Sequence, residues 1–377
     1  MLIYLILTII MLAVGCFFKV NETKLRQKVY LLFVFLMLAL VASLRAYTVG
    51  VDTHQYYFNY ELISKIDWQA HSEIRYELGF FSLCKILYYI SPDPQLLIIV
   101  TSCFICFSVG VFLYKNSNDV IFSSFLFILL NVFSFYLTAM RQALAISIIL
   151  LGIEFLKKPG FRNVVFYVLI VFLAMQFHNS AAIMIIPLFF VKIKYTNTSF
   201  LVALIITSAT FVLAPLIWQL MLRLFPSYAG YTDSEFADSN YFAAALNTLI
   251  CLTMLLFGLV FSNKNNRLQS NKSQPTLVYG NNQKMVLSFD LTAYLLTFAL
   301  AFFAISMRMS LLSRFSSYFS VFYIIWIPNI TAQMTNQKDK TFITFLTMVF
   351  AVAFFVIIAV FRPEWHGVIP YEFFWEV

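Results

Sequence analysis

The stretch Thr138-Ala139-Met140-Arg141-Gln142-Ala143-Leu144-Ala145 places one arginine between two almost wholly apolar runs, residues 121–137 and 146–156. A charged side chain at the centre of a membrane helix costs about 2.5–3.5 kcal/mol on insertion scales, and less near an interface. A membrane protein accepts this cost where the charge has a partner or a function. The stretch therefore predicts a helix end at a membrane surface, where Arg141 either reaches lipid head groups or binds an anion.

The composition indicates a helical membrane protein. Of the 377 residues, 62% are hydrophobic and only 11% are charged, whereas about a quarter of the residues in a soluble domain carry charge. Apolar runs recur at the length that a membrane helix needs. We expect an all-α polytopic fold, with about twelve transmembrane helices in a single integral-membrane domain over residues 1–377. The predicted spans are 2–18, 29–44, 95–114, 120–138, 141–156, 163–177, 179–191, 199–220, 242–261, 288–306, 315–334 and 341–361.

Residues 77–90 differ from the other apolar segments. The segment is short, ends at the turn Ser91-Pro92-Asp93-Pro94, and carries a single apolar stripe, which is typical of a helix lying in the membrane interface. If it does not cross, all the lysine-rich connections fall on one side, and the positive-inside rule makes that side cytoplasmic. We therefore expect both termini and the long loop 45–77 to be external, and the loop 262–287 to be cytoplasmic.

The two predicted faces differ in the kind of positive charge that they carry. Sixteen of the 25 lysines and arginines fall on the cytoplasmic side; of the nine outside, seven are arginine. Membrane orientation requires only positive charge, whereas bidentate recognition of phosphate or carboxylate favours arginine. The external face is therefore predicted to bind anions.

Candidate proton acceptors also lie on this face. Asp52 follows Gly50 in the first external loop, where a tight turn would hold the carboxylate near the helix ends. Glu77 begins the interfacial helix, and His178 joins two apolar segments. A histidine with an ordinary pKa of about 6.5 accepts protons at physiological pH. Each has a structural alternative: a helix cap for Asp52, a favourable charge at a helix N-terminus for Glu77, and an interfacial hydrogen bond for His178.

Several site classes are not indicated by the sequence. It contains no glycine-rich phosphate loop, no acidic pair in a cytoplasmic loop and no His/Cys cluster with zinc spacing. The five cysteines lie in or beside apolar segments, and Cys103 and Cys106 fall within one span, so we expect buried thiols rather than a redox or metal pair. We therefore predict no metal, no cofactor and no nucleic-acid partner.

Six short motifs on the predicted external face occur in the order found in one family. The chain resembles the EpsG-type, Wzy-like polysaccharide polymerases over residues 45–371. The motifs are Arg45…Gly50-x-Asp52-Thr53…Tyr56, Glu77-x-Gly79-Phe80, Arg141-Gln142-x-x-Ala145, His178-x-Ser180-Ala181, Arg314-x-x-x-Tyr318 and Ile369-Pro370-Tyr371.

The resemblance implies a glycosyltransferase with a GT-C-like architecture in the bacterial inner membrane. Such enzymes join undecaprenyl-diphosphate-linked oligosaccharide repeat units into O-antigen, capsule or exopolysaccharide at the periplasmic face. The donor and acceptor would both be lipid-linked, membrane lipids would surround the protein, and a polysaccharide chain-length regulator is a candidate partner. No metal or nucleotide sugar is expected.

In this interpretation Arg141 and Arg314 bind the carrier diphosphate with help from Arg308 and Arg45. The base is His178 or Asp52, with a slight preference for His178, and Glu77 is the next candidate. The remaining candidate ligands of the diphosphate or glycan are Arg75, Gln142, Tyr318 and Tyr371. Three alternatives stay open: an O-antigen ligase with the same donor, a transporter or flippase of lipid-linked glycans, and a membrane acyltransferase.

Overall fold

The computed structural model describes residues 2–18, 20–73, 76–158, 160–224, 241–270, 286–309 and 312–377. Within these ranges the chain forms fifteen α-helices and no named β-strand. Their bounds are α1 Leu2–Phe17, α2 Lys24–Ser43, α3 Thr53–Lys65, α4 Leu78–Ile90, α5 Gln95–Asn116, α6 Val120–Leu129, α7 Val132–Thr138, α8 Met140–Gly152, α9 Phe161–Met175, α10 Asn197–Leu224, α11 Tyr241–Ser270, α12 Phe289–Ser306, α13 Ser313–Ser320, α14 Tyr323–Ala332 and α15 Gln337–Phe361. Residues Asn179–Phe189 form a 3-10 helix.

Six of the described helices are long and apolar enough to cross a membrane: α2, α5, α10, α11, α12 and α15. The helices α6 and α7 make a seventh span if they are counted as one, although they meet at an angle of 53°. The protein is therefore a multi-pass membrane protein, and the all-helical prediction is confirmed for the described residues. The expected number of about twelve spans is not confirmed, because several predicted spans form shorter helices, among them α1 and α9.

Two compact units make up the described chain. The first contains residues 1–185 and 331–377 together with 284–286, and the second contains residues 186–283 and 287–330. In the first, α2 and α8 pack against α5, and α1 and α15 pack against α6. In the second, α12 contacts α10, α11 and α13, and the Trp326 indole donates to the Met254 carbonyl of α11 at 2.8 Å. That the whole chain acts as a single membrane domain stays a prediction.

The predicted span 120–138 is not one straight helix. It breaks between α6 and α7 at Asn131, which adopts the left-handed conformation with φ 58°. Asparagine tolerates this conformation better than most residues, because its short polar side chain bonds locally. The boundary predicted between the spans 120–138 and 141–156 is found at Ala139, which separates α7 from α8. Arg141 consequently lies in the first turn of a new helix. The predicted span 315–334 is likewise divided, into α13 and α14.

Helical structure also occupies much of the predicted loop 45–77. The helix α3 and the 3-10 turn Trp68–Glu73 lie within it, and α3 packs against α4. Lys85 of α4 is buried and donates to the carbonyls of Ser64 at 2.9 Å and Ile66 at 2.5 Å. A positive charge is favourable at the C-terminus of a helix such as α3. The segment is therefore a packed cap rather than an open loop.

The C-terminal tail holds the start of this cap in place. The amide of Gly50 donates to the Gly367 carbonyl at 2.7 Å, and that of Ala46 donates to the Glu372 carbonyl at 2.9 Å. Gly50 has φ +99°, and a Cβ at this position would lie 2.6 Å from the Leu137 carbonyl oxygen. This close approach sets the beginning of α3 against the end of α7, next to the break before Arg141.

The cysteine prediction is partly wrong. Cys84, Cys106 and Cys251 are buried, but Cys16 and Cys103 are exposed. Cys103 and Cys106 lie about one turn apart on α5, yet the first is exposed and the second is buried. All five thiols are free.

Candidate active site

An ion pair between Arg141 and Glu77 lies at the centre of the candidate site. Nη1 of Arg141 is 2.6 Å from Oε2 of Glu77, and only 14% and 11% of the two side chains are exposed. Charged side chains this deeply buried are rare unless they are paired. Arg141, the arginine identified in the sequence, therefore has a partner for its charge.

Helix geometry explains why this pair forms. Arg141 lies in the first turn of α8, where the backbone N–H groups concentrate positive charge and a cation is unfavourable. Glu77 immediately precedes α4, and its Oε1 accepts a hydrogen bond from the Asn179 amide at 3.1 Å. Two helix N-termini thus meet at one carboxylate. The carboxylate offsets both the arginine charge and the positive ends of the helices.

Aromatic rings enclose the guanidinium. The Cζ atom of Arg141 lies 4.9 Å from the ring centre of Tyr76, 5.8 Å from that of Tyr56 and 5.9 Å from that of Phe80. Nε of Arg141 also donates to the Tyr56 hydroxyl at 3.3 Å. Cation–π attraction strengthens when the charge is withdrawn from water. The rings therefore hold the guanidinium plane in one orientation.

Asp52 belongs to the same cluster. It precedes α3 by one residue, is half-buried, and lies one helical turn before Tyr56. Burial raises the pKa of the Tyr56 hydroxyl, and Asp52 raises it further while Arg141 opposes the shift. The Tyr56 hydroxyl thus stays protonated, and it interacts electrostatically with both Asp52 and Arg141.

The His178 loop is tied to α4 by backbone bonds. The amides of Gly79 and Phe80 both donate to the Gln176 carbonyl, at 2.8 and 3.2 Å. A Cβ on Gly79 would lie 2.7 Å from that carbonyl oxygen, so the motif Glu77-x-Gly79-Phe80 depends on glycine here. Together with the bond from Asn179 to Glu77, these contacts bring the loop 176–180 to the ion pair.

The imidazole of His178 is oriented by Ser180. Its Nδ1 accepts a hydrogen bond from the Ser180 amide at 3.3 Å and lies 2.6 Å from Oγ of Ser180. An amide N–H can only donate, so Nδ1 must offer its lone pair, and the neutral ring then carries its proton on Nε2. This arrangement favours His178 as a hydrogen-bond donor over His178 as a base.

Two of the expected ligand-binding residues have structural contacts instead. Arg45 is 1% exposed and donates to the Ala42 carbonyl and to Oγ of Ser102, the latter at 2.8 Å. Burial lowers the pKa of Arg45 to about 10, so the residue is charged at neutral pH. The Tyr371 hydroxyl donates to the Val41 carbonyl, and burial raises its pKa to about 12. These side chains hold α2, α5 and the tail together.

The other expected residues are placed as follows. Gln142 is buried in α8, next to Arg141. Arg308, Arg314 and Tyr318 belong to the second unit; Arg308 is exposed and stacks on Phe211 at 4.8 Å, whereas Tyr318 is 1% exposed. Arg75 lies outside the described residues.

The sequence reasoning missed the aromatic enclosure of Arg141. Tyr76 and Phe80 flank Glu77, and Tyr56 follows Asp52 by four residues, so each ring stands close in sequence to a predicted acidic residue. Aromatic residues are too common in this chain for such proximity to stand out, because 19% of all residues are aromatic. Their role becomes visible only when α3, α4 and α8 meet.

Comparison with known proteins places the chain in a family. No curated protein and no solved structure gives a significant match. A family model matches residues 28–373, which covers the cap, the Arg141–Glu77 pair, the His178 loop and the C-terminal tail. On this match over nearly the whole chain, the protein belongs to the EpsG family.

Proposed function

We propose that the protein polymerises lipid-linked oligosaccharide repeat units at the periplasmic face of the bacterial inner membrane. Membership in the EpsG family supports a polysaccharide polymerase in the membrane. The donor and acceptor in this proposal are both linked to undecaprenyl diphosphate, and the product is O-antigen, capsule or exopolysaccharide. A GT-C-like bundle of about twelve spans and a chain-length regulator as partner belong to the same proposal.

The observation that carries this proposal is the enclosed Arg141–Glu77 pair. Tyr56 and Tyr76 fix the guanidinium plane, so that little side-chain freedom remains to be lost when a ligand binds. Arginine matches phosphate oxygens bidentately, and a fixed cation in a partly dry site stabilises a negative leaving group strongly. The diphosphate of the donor would compete with Glu77 for Arg141.

The proposed reaction is a single displacement at the anomeric carbon of the donor chain. A hydroxyl oxygen of the acceptor sugar attacks this carbon, and the bond between the carbon and the diphosphate oxygen breaks. Undecaprenyl diphosphate leaves with the bonding electron pair, and Arg141 neutralises the charge that develops on it. The configuration at the anomeric carbon inverts.

A carboxylate is proposed to take the acceptor proton. Glu77 is committed to Arg141 and to the Asn179 amide, and the lone pair of His178 Nδ1 faces Ser180. Asp52 is half-buried and interacts electrostatically with Tyr56, whose hydroxyl accepts from Arg141, so its carboxylate belongs to the same cluster. We therefore assign the base role to Asp52 and a hydrogen-bonding role toward substrate to His178. Arg308 and Arg314 stay candidates for anion binding in the second unit.

Chain-length analysis in cells tests the function. A strain without this gene should accumulate single repeat units on the carrier, and the wild-type gene should restore long polymer. Arg141→Lys should leave single units, because lysine keeps the charge but loses the planar, two-pronged contact. Arg362→Lys is the matched control, because Arg362 is exposed and its ion pair with Glu364 is long, at 3.6 Å. Long polymer in the gene-deleted strain would overturn the proposal.

A further inference from the structure

We propose that a partly exposed aromatic cluster at the start of α3 binds the sugar rings of the glycan. The cluster consists of Tyr47, His54, Tyr57 and Phe58 and is called the aromatic platform below. This inference rests on the proposed function, because it names the surface that would hold the saccharide part of a substrate whose diphosphate lies at Arg141.

The four rings of the platform form one continuous surface. The ring centres of His54 and Phe58 are 4.5 Å apart, and the Tyr47 ring lies 5.1 Å from that of Tyr57 and 5.2 Å from that of Phe58. The rings of Tyr57 and Phe58 are 5.5 Å apart. On α3, positions 54, 57 and 58 share one helix face by their spacing. Tyr47 approaches from the preceding segment and extends this face.

Exposed aromatic rings are unusual on a helix such as α3, which also carries exposed polar and charged side chains. Phe58 is 56% exposed and His54 is also exposed. Elsewhere in the first unit, many exposed apolar side chains lie on α2, which is long and apolar enough to cross a membrane. The helix α3 instead carries exposed Gln55, Glu61 and Lys65, which would be costly in hydrocarbon. Large aromatic rings left open on a polar helix indicate a binding surface.

The chemistry of the platform fits a neutral saccharide. A pyranose ring has an apolar C–H face and a polar rim, and ligand sites combine aromatic surfaces with a few polar groups that fix orientation. Tyr47, Tyr57 and His54 supply a hydroxyl or an imidazole nitrogen beside each ring face. The four residues include no lysine or arginine, whereas surfaces that bind anionic lipid head groups carry clusters of them.

The position of the platform links it to Arg141. Tyr57 and Phe58 directly follow Tyr56, whose hydroxyl accepts from Nε of Arg141. His54 follows Asp52, the proposed base, by two residues. The first turns of α3 therefore carry both Tyr56, which contacts Arg141, and the aromatic platform. A saccharide lying on the platform would have its reacting sugar close to Asp52.

Binding of free oligosaccharide tests this inference. The probe is the repeat-unit oligosaccharide, released by mild acid from the lipid-linked precursors of the producing cells, and titrated against full-length protein in nanodiscs by saturation-transfer NMR. Phe58→Ser should raise Kd about tenfold or more, the equivalent of about 1.4 kcal/mol. Phe58→Tyr should bind as wild type. Tyr89→Ser is the matched control, because Tyr89 is an aromatic residue on α4 that is at least as exposed as Phe58 and lies outside the platform.

Three results would overturn the inference: no binding by the wild-type protein, unchanged binding by Phe58→Ser, or a bilayer location for the platform. The last is measured with Phe58→Cys in nanodiscs, which should react with a membrane-impermeant maleimide beyond the level of the native cysteines. Arg141→Lys separates this inference from the proposed function, since it should bind the free oligosaccharide normally while failing to polymerise. If Phe58→Ser binds the oligosaccharide normally and Arg141→Lys fails to polymerise, the platform is refuted while the proposed function stands.

Discussion

Arg141 occupies a helix position that ordinarily favours a negative charge. The chain accepts it there because Glu77 lies 2.6 Å away and three aromatic rings cover the guanidinium. Such a position, costly on its own and compensated by specific neighbours, is typical of functional sites. At the scale of single residues, the site depends on this compensation.

Loss of the Glu77 charge tests the compensation. Breaking a buried ion pair by removing one partner usually costs about 3–5 kcal/mol, whereas exposed pairs contribute about 0–1 kcal/mol. Glu77→Gln should therefore lower the melting temperature of the purified protein clearly. Glu61→Gln is the control, because Glu61 pairs with Lys65 at 2.5 Å on an exposed helix face. Equal melting temperatures for the two variants would contradict the proposed importance of the Arg141 pair.

The identity of the base is testable by pH. A neutral histidine base loses activity below about pH 6.5, whereas a carboxylate base with an ordinary pKa of about 3.9 stays ionised there. With Asp52 as base, the rate should change little between about pH 8 and about pH 5.5, and Asp52→Asn should lose about 10²–10⁴-fold in rate. His178→Gln should keep the same flat profile with weaker substrate binding. A rate that falls below about pH 6.5 in wild type, but not in His178→Gln, would return the base role to His178.

At the scale of elements, the site forms where short helices end. The break at Asn131 divides one predicted span, and the break at Ala139, between two predicted spans, places Arg141 in the first turn of α8. Gly50 then brings the start of α3 against the Leu137 carbonyl, just before that break. Three helix N-termini, those of α3, α4 and α8, thereby surround one ion pair.

Gly50→Ala should disrupt this arrangement. Alanine at φ +99° is strained, and its Cβ would lie 2.6 Å from both the Leu137 carbonyl oxygen and the Thr53 Oγ. Backbone strain alone costs about 1–3 kcal/mol, so the melting temperature and the activity should both fall. Gly160→Ala is the control, because a Cβ at Gly160 meets no atom within 4 Å. If both variants melt like wild type, the close approach at Gly50 does not position the site.

The sequence predicted which polar residues of the candidate site lie together better than it predicted the shape of the elements. Asp52, Glu77, Arg141 and His178 each stood beside a predicted helix end on one face, and the structure connects them through Tyr56, Asn179 and the backbone. The bend at Asn131 was not predictable from hydrophobicity, since Leu129, Leu130, Val132 and Phe133 around it are apolar, whereas the helix end at Ala139 was predicted beside Arg141. The structural contacts of Arg45 depend on Ser102, 57 residues away, and no local pattern reports such a contact.

At the scale of the whole molecule, the orientation in the membrane is a prediction from charge. The lysine-rich connections predict that the loop 262–287 lies in the cytoplasm and that the segment 45–77 lies outside, together with both termini. Cysteines introduced singly in place of Gln55 and Lys272 test this in intact cells with a membrane-impermeant maleimide. Label should enter at position 55 and not at position 272. Labelling at position 272 alone would invert the orientation and move the proposed reaction to the cytoplasmic face.

The most direct test of the central claim is polymerisation by the purified protein from defined substrate. Lipid-linked repeat units, labelled in the sugar and incubated with protein in proteoliposomes, should yield longer glycans and release unglycosylated undecaprenyl diphosphate. Arg141→Lys should reduce this rate by about 10²-fold or more, within the range attributed to a single electrostatic group that stabilises a transition state, while Arg362→Lys keeps the wild-type rate. Two results would contradict the account: polymerisation at the wild-type rate by Arg141→Lys, or no glycan extension by folded wild-type protein.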